Sequence, residues 1–268
     1  MFWNPSREAF SIPGLDFCIY WYSLWFAFGF YGAVVICRFL IWRRGGKRKE
    51  IREYVDHLAA YCFFGLLIGA RLGHVLFYEP SYYLDHPFEI LALRQGGLSS
   101  HGAVLGLFFA LWRFHKRPAA HDYLPRGKDL LDLLAVGSMW TAACIRIGNF
   151  FNQEIVGTPT ALPWAIVFGA PADAVGGIAR HPVQLYEAGV SLVLLCSALY
   201  LCKDGGFAKN GRVAGWILIS TFTARFFLEF LKVPQCSFDA GLFHMGQLLS
   251  LPIIFTGGYL VVTSYGRK

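Results

Sequence analysis

Charge is scarce in this sequence. Asp, Glu, Lys and Arg make up 15% of 268 residues, where a soluble domain carries about 25%. Hydrophobic residues reach 56% and aromatics 17%. That excess excludes a water-soluble globule, because too little polar material is present to cover one. Metal and redox signatures are also missing. The seven cysteines show no CxxC or other ligand spacing. Most of them sit in apolar runs, where cysteine behaves as a small apolar residue, and Cys236 alone is expected to face the outside. Metal and disulfide readings are both weak. No internal repeat is evident, so an inverted-repeat transporter gains no support. A cleaved signal peptide is not expected either, since Glu8 and Asp16 precede a first apolar run that is too long for one.

What is present is a series of long apolar runs. Seven reach or approach the roughly 20 residues a helix needs to cross a bilayer: Phe17–Trp42, Asp56–Tyr78, Gly97–His115, Leu130–Phe151, Leu185–Cys202, Arg212–Leu231 and Phe243–Tyr265. The expected fold is an all-α polytopic membrane protein of about seven transmembrane helices, forming a single integral membrane domain over residues 1–268. Gly65, Gly69 and Gly73 in the second run, and Gly102 and Gly106 in the third, recur every four residues and predict close helix packing. Residues 152–184 contain Pro159, Pro163, Pro171 and Gly176-Gly177 and predict a small irregular cap.

The net charge of +7 raises the question of nucleic acid, but its distribution argues against that partner. Sixteen of the 24 Lys and Arg residues fall in the loops after the first, third and fifth runs and in the tail, among them Lys209, Arg267 and Lys268. Four lie on the opposite side, at Arg7, Arg94, Arg180 and Lys232. The positive-inside rule then predicts an outer N-terminus and a cytoplasmic C-terminus. The basic loop Arg43–Arg52 is expected to meet anionic membrane lipid. Arg38, Arg71, Arg146 and Arg225 remain inside apolar runs. Arg38 is close enough to an end to snorkel. A buried arginine otherwise costs roughly 2.5–3.5 kcal/mol at the bilayer centre.

With this topology, nearly every polar residue at membrane depth gathers on the outer side. These include Tyr22, Arg71, His101, Arg146, Arg225 and Glu229, with Glu154 at the mouth of the fourth run. His181, Gln184, Tyr186 and Glu187 lie at the entrance of the fifth run, and His244 and Gln247 at that of the seventh. A channel or transporter for anions would carry polar groups through the full depth. Arginines at one depth point instead to an anionic ligand, because the guanidinium fork suits phosphate oxygens. An outer-leaflet phospholipid headgroup is the candidate. Pairing of each arginine with a carboxylate, such as Arg225 with Glu229, is the structural alternative. His101 is able to accept a proton near neutral pH; a hydrogen-bonded helix-end histidine is its structural reading.

These residues carry a family pattern. Arg146-Ile-Gly148-Asn149-Phe150-Phe-Asn152-Gln-Glu154-Ile-Val-Gly157 resembles the signature of the bacterial phosphatidylglycerol–prolipoprotein diacylglyceryl transferases. Tyr20-Trp21-Tyr22, Gly69-Ala-Arg71-Leu-Gly73, Gly96-Gly97-Leu-Ser-Ser-His101-Gly102, Arg180-His181-Pro182-Val-Gln184-Leu-Tyr186-Glu187, Arg225-Phe-Phe-Leu-Glu229 and Met245-Gly246-Gln247 follow in the family's order. The resemblance implies an enzyme of the bacterial cytoplasmic membrane, active toward its outer leaflet. Such an enzyme moves the diacylglyceryl group of phosphatidylglycerol to the thiol of a lipobox cysteine in a preprolipoprotein signal peptide. It implies that no metal and no cofactor are needed, and it implies roles. His101 is the base, Arg146 and Arg225 hold phosphate, and Tyr22, Arg71, Asn149, Asn152, Glu154, Gly157 and Glu229 shape the substrate site. The departures are Ile145 for a glycine, His74 and Thr221 for tyrosines, and Lys232 for an arginine. A scaffold that binds phospholipid without chemistry, and an anion transporter, are the rival readings.

Overall fold

A computed structural model describes residues 1–12, 14, 17–92, 96–117, 121, 123–172, 174–203, 210–233 and 244–265. Asp16, Arg94, Lys209, Cys236, Phe243, Arg267 and Lys268 lie outside the described residues. The apolar runs fold as helices: α1 (Trp21–Trp42), α2 (Arg48–Phe77), α5 (Lys128–Asn152), α6 (Val183–Leu201), α7 (Arg212–Leu228, continued by a 3-10 turn to Leu231) and α8 (Met245–Tyr265). Among the described residues these six are long and apolar enough to cross a membrane. Between α2 and α5 come the short helix α3 (Pro80–Asp85), a 3-10 turn (Pro87–Leu91) and α4 (Ser100–His115).

Helix α4 is shorter than the third expected span. It has 16 residues, or about 24 Å at a rise of 1.5 Å per residue, against about 30 Å of hydrocarbon. Its start is set by the turn before it. Gly96 and Gly97 have φ of 87° and 70°, a region that a side chain disfavours. Ser99 then caps the helix by accepting the Gly102 N–H at 3.2 Å. The expected seven spans are therefore six long helices and one short one.

The chain divides into two compact units, residues 45–126 and residues 1–44 with 127–268. In the smaller unit α2 packs on α4 through glycine. A Cβ on Gly69 would lie 2.4 Å from the Gly102 carbonyl oxygen, and one on Gly106 would lie 2.1 Å from that of Gly65. The two backbones thus touch, as the four-residue glycine spacing predicts.

In the larger unit α1 packs along α5, α5 along α6, and α7 along α8. The start of α7 is satisfied from a neighbouring helix. Asp132 of α5 is fully buried and accepts the N–H groups of Gly211 at 3.0 Å and Ala214 at 2.7 Å. It thereby supplies acceptors for donors that a helix N-terminus leaves orphaned.

The cap is more regular than the proline-rich sequence predicts. Strand β4 (Ile166–Phe168) pairs antiparallel with β5 (Ala179–Arg180) and parallel with β1 (Phe2–Trp3). Phe150, Val156, Ile166 and Phe168 form its core, with Trp3 and Val233 packed against them. Pro159, Pro163 and Pro171 all fall outside these short strands and leave the ladder intact, which is why composition alone suggests irregular chain. A hairpin of β2 (Glu8–Ile12) and β3 (Phe17–Tyr20) leads into α1.

Candidate active site

The signature stretch occupies the last two turns of α5 and the chain that leaves it. Helix α5 ends because Gln153 adopts a left-handed conformation (φ 55°, ψ 39°). Its side chain is locked by accepting the Ala170 N–H at 2.9 Å and donating to Asn4 Oδ1 at 3.1 Å. The turn folds Glu154 back over the helix, where its N–H donates to the Asn149 carbonyl at 3.1 Å. Ile155 follows with φ 59°. A β-branched residue held there is strained, by about 1–3 kcal/mol.

This reversal builds a relay of polar groups. Arg146 Nη1 donates to Asn149 Oδ1 at 3.3 Å. Asn149 Nδ2 donates to Glu154 Oε1 at 2.6 Å, and Asn152 Nδ2 reaches the same oxygen at 3.4 Å. The orientation of the Asn149 amide follows from its neighbours, since the reverse would oppose donor to donor and acceptor to acceptor. Buried Gln184 fixes the loop by donating to the Glu154 carbonyl at 2.8 Å. Tyr22, at the start of α1, packs its ring over Gly148 and feels the charges of Glu154 and Arg146.

An ionic network completes the site. Arg146 Nε contacts Glu187 Oε2 at 2.9 Å. Lys232 is buried and bridges Glu187 Oε1 and Glu229 Oε2, each at 2.9 Å. Gly157 sets this geometry. It forms a β-bridge with Lys232, and its N–H donates to the His181 carbonyl at 3.1 Å. A Cβ at Gly157 would stand 2.4 Å from that oxygen, so only glycine fits between the two segments. Gly246 likewise leaves room for the Glu229 carboxylate, which lies 2.6 Å from where a Cβ would project.

Two arginine groups stay uncommitted. Arg146 uses Nε and Nη1 within the protein, and among the described residues Nη2 has no hydrogen bond. Arg225, in the last turn of α7, makes no ion pair or side-chain hydrogen bond among the described residues. The Arg225–Glu229 pairing allowed by spacing does not form, because Glu229 turns to Lys232.

Arg71, His74, Gln247 and Thr221 are each held by other contacts. Arg71 is buried and spends its donors on carbonyl oxygens: Ile90 at 2.8 Å from Nε, Gly96 at 2.7 Å from Nη1 and Glu89 at 2.5 Å from Nη2. Its guanidinium also lies 5.1 Å from the Tyr83 ring centre. It thus clamps the loop that leads into α4. His101 is exposed in the first turn of α4. The smaller unit holds both Arg71 and His101. His74 contacts Glu79 at 3.7 Å and stacks on Tyr78. Gln247 donates to the Phe226 carbonyl and accepts the His244 N–H. Thr221 directs its hydroxyl to Met139 Sδ at 3.6 Å.

Glu187 and Lys232 are the site residues that sequence reasoning leaves out of the binding set. The i,i+3 spacing of Glu229 and Lys232, and an acid inside the fifth apolar run, were the available signals. Lys232→Met is expected to lower stability by about 3 kcal/mol, because half-buried Glu229 loses its counter-charge and buried Glu187 is left with Arg146 alone. Thermal denaturation of the purified protein measures this, and an unchanged melting temperature would show the ammonium to be dispensable.

Comparison with known proteins bears on this geometry. A family model described as prolipoprotein diacylglyceryl transferase matches residues 7–263. The phosphatidylglycerol–prolipoprotein diacylglyceryl transferase of Tolumonas auensis is 37% identical over 270 residues, covering 100% of this chain and 99% of that protein. The protein of the same name from Bacteroides fragilis is 38% identical over 282 residues, covering 99% and 95%. That of Chloroherpeton thalassium is 38% identical over 267 residues, covering 98% and 94%.

Proposed function

The chain belongs to the prolipoprotein diacylglyceryl transferase family, and we propose that its Arg146–Asn149–Glu154 relay, with Arg225, grips the headgroup of phosphatidylglycerol. The protein is a transferase that moves the diacylglyceryl group of phosphatidylglycerol to a prolipoprotein, the first step of lipoprotein maturation. The observation that carries the assignment of the grip is Nη2 of Arg146, which has no hydrogen bond among the described residues while Nε is ion-paired to Glu187 and Nη1 is bonded to Asn149.

The accepting atom is the thiol sulfur of a lipobox cysteine in the signal peptide of the preprolipoprotein. The bond between the glycerol carbon of the diacylglyceryl group and the phosphate oxygen breaks. A carbon–sulfur bond forms, and glycerol phosphate leaves with the electron pair. Arg146 and Arg225 stabilise the charge that develops on the departing phosphate. Glu154 Oε1 is occupied by the two asparagines. Its Oε2 is suited to accept from the hydroxyls of the glycerol headgroup, and the Tyr22 hydroxyl is a further partner. Glu229 acts through Lys232 to hold Glu187, and Gly157 keeps the backbone close. Arg71 positions the loop before His101. A cysteine thiol has a pKa near 8.5, so its proton needs an acceptor at neutral pH, and His101 takes it.

The same reading places the protein in the bacterial inner membrane, with an outer N-terminus, a cytoplasmic C-terminus and the site toward the outer leaflet. The loop charges support this orientation, and the pairing of β1 with the cap strand β4 keeps the N-terminal strand and the cap together. A reporter fused after Tyr265 that works only in the cytoplasm tests it; an inactive reporter reverses the orientation.

Purified protein given labelled phosphatidylglycerol and a lipobox peptide is expected to yield diacylglyceryl thioether and glycerol phosphate in equal amounts. Bound phosphatidylglycerol with neither product would mark a lipid-holding scaffold instead.

A further inference from the structure

A groove on the smaller unit, remote in sequence from the signature, has the character of a lipid site. It lies between α2 and α4 and encloses about 650 Å³, within the range of about 300–1,000 Å³ of small-molecule sites. Its floor is the glycine contact of Gly65, Gly69 and Gly106. Its rims are apolar and exposed, with Phe64 at 56%, Leu72 at 45% and Phe109 at 63% accessibility. From Ala60 to Phe77 it runs about 25 Å, at a rise of 1.5 Å per residue.

The groove ends in positive charge. Arg113 lines it. The Arg117 guanidinium lies 5.7 Å from the ring of Tyr61, another lining residue. Lys116 sits beside them over Trp112. Among the described residues none of these three cations makes an ion pair. An apolar channel that ends at unpaired cations matches an anionic amphiphile.

We propose that this groove binds one acyl chain of an anionic phospholipid whose phosphate rests on Arg113 and Arg117, in the leaflet at the C-terminal end of α4. The proposal does not depend on the transfer reaction. It does not use the residues of the signature.

The test uses the full chain in lipid nanodiscs with a photoactivatable acyl chain on phosphatidic acid, and the same chain on phosphatidylcholine. Phosphatidic acid carries a phosphate that Arg146 and Arg225 can also hold, so the position of the label, on the groove helices rather than near the signature stretch, separates this groove from the substrate site. The expected label falls on residues 60–77 and 102–113, several-fold stronger for phosphatidic acid. Arg113→Gln with Arg117→Gln should abolish that preference. Leu72→Trp with Leu105→Trp, which fills the groove from its exposed rims, should remove the label for both lipids. Transfer activity, measured in parallel, reports that each variant is folded. Equal labelling by the two lipids in the parent protein would overturn the anionic assignment. Label spread evenly over all membrane helices would overturn the groove itself.

Discussion

Arg146→Ala is expected to reduce diacylglyceryl transfer by about 10²–10³-fold, the usual effect of removing one donor to a developing oxyanion, while the protein still accumulates in the membrane. The two halves of this expectation have separate physical grounds. Removing the guanidinium deletes the free Nη2 and breaks the relay to Asn149. Yet Glu187 keeps a counter-charge, because Lys232 stays 2.9 Å from its other oxygen. The buried carboxylate is therefore not orphaned, and the loss should be one of chemistry rather than of folding. Arg146→Lys should recover little. An ammonium is a single point charge and cannot serve Glu187, Asn149 and a phosphate in one plane. Steady-state rates at saturating phosphatidylglycerol measure this, and parental rates in Arg146→Ala would remove the residue from the phosphate site.

His101→Gln carries the second large effect, a fall of about 10²–10⁴-fold at pH 7. Here the pH profile matters more than the magnitude. Without a base, the reaction must wait for thiolate formed by the solvent. That fraction rises about tenfold per pH unit below the thiol pKa of roughly 8.5. The rate of the variant should climb steeply toward that pH, and the gap to the parent should narrow. A purely structural His101 predicts a different result: a constant deficit, or none, across the same range. Parallel pH–rate curves for parent and variant would end the assignment of His101 as the base.

Much of this site is legible in the sequence because polar groups stand out against hydrocarbon. Arg146, Asn149, Asn152 and Glu154 interrupt an apolar run, and they fold into one relay. The glycine spacing of the second and third runs predicts the α2–α4 contact for the same reason: helix period converts spacing into a face. What escapes the sequence is the identity of partners. Arg71 looks like a ligand-binding arginine, but its acceptors are backbone carbonyls, which every residue carries and no composition reveals. Lys232 counts as an outer-loop cation until a β-bridge to Gly157 turns it inward. The length of α4 depends on a turn at Gly96 and Gly97 rather than on hydropathy. The cap strands are two to three residues long, too short to leave an alternating pattern.

The division of the chain also orders its assembly in time. Helix α1 packs on α5, yet residues 45–126 are made between them. At about 5–20 residues per second, those roughly eighty residues delay the arrival of α5 by about 4–16 s. Strand β1 waits longer still for β4, because its partner residues lie near position 167. An apolar α1 can wait alone in lipid, since membrane helices insert before they associate. A β1 edge outside the bilayer has no such shelter. During synthesis β1 is therefore open to capture by another chain, and a bulky insertion ahead of Phe2 should be tolerated by the helices and felt by the cap.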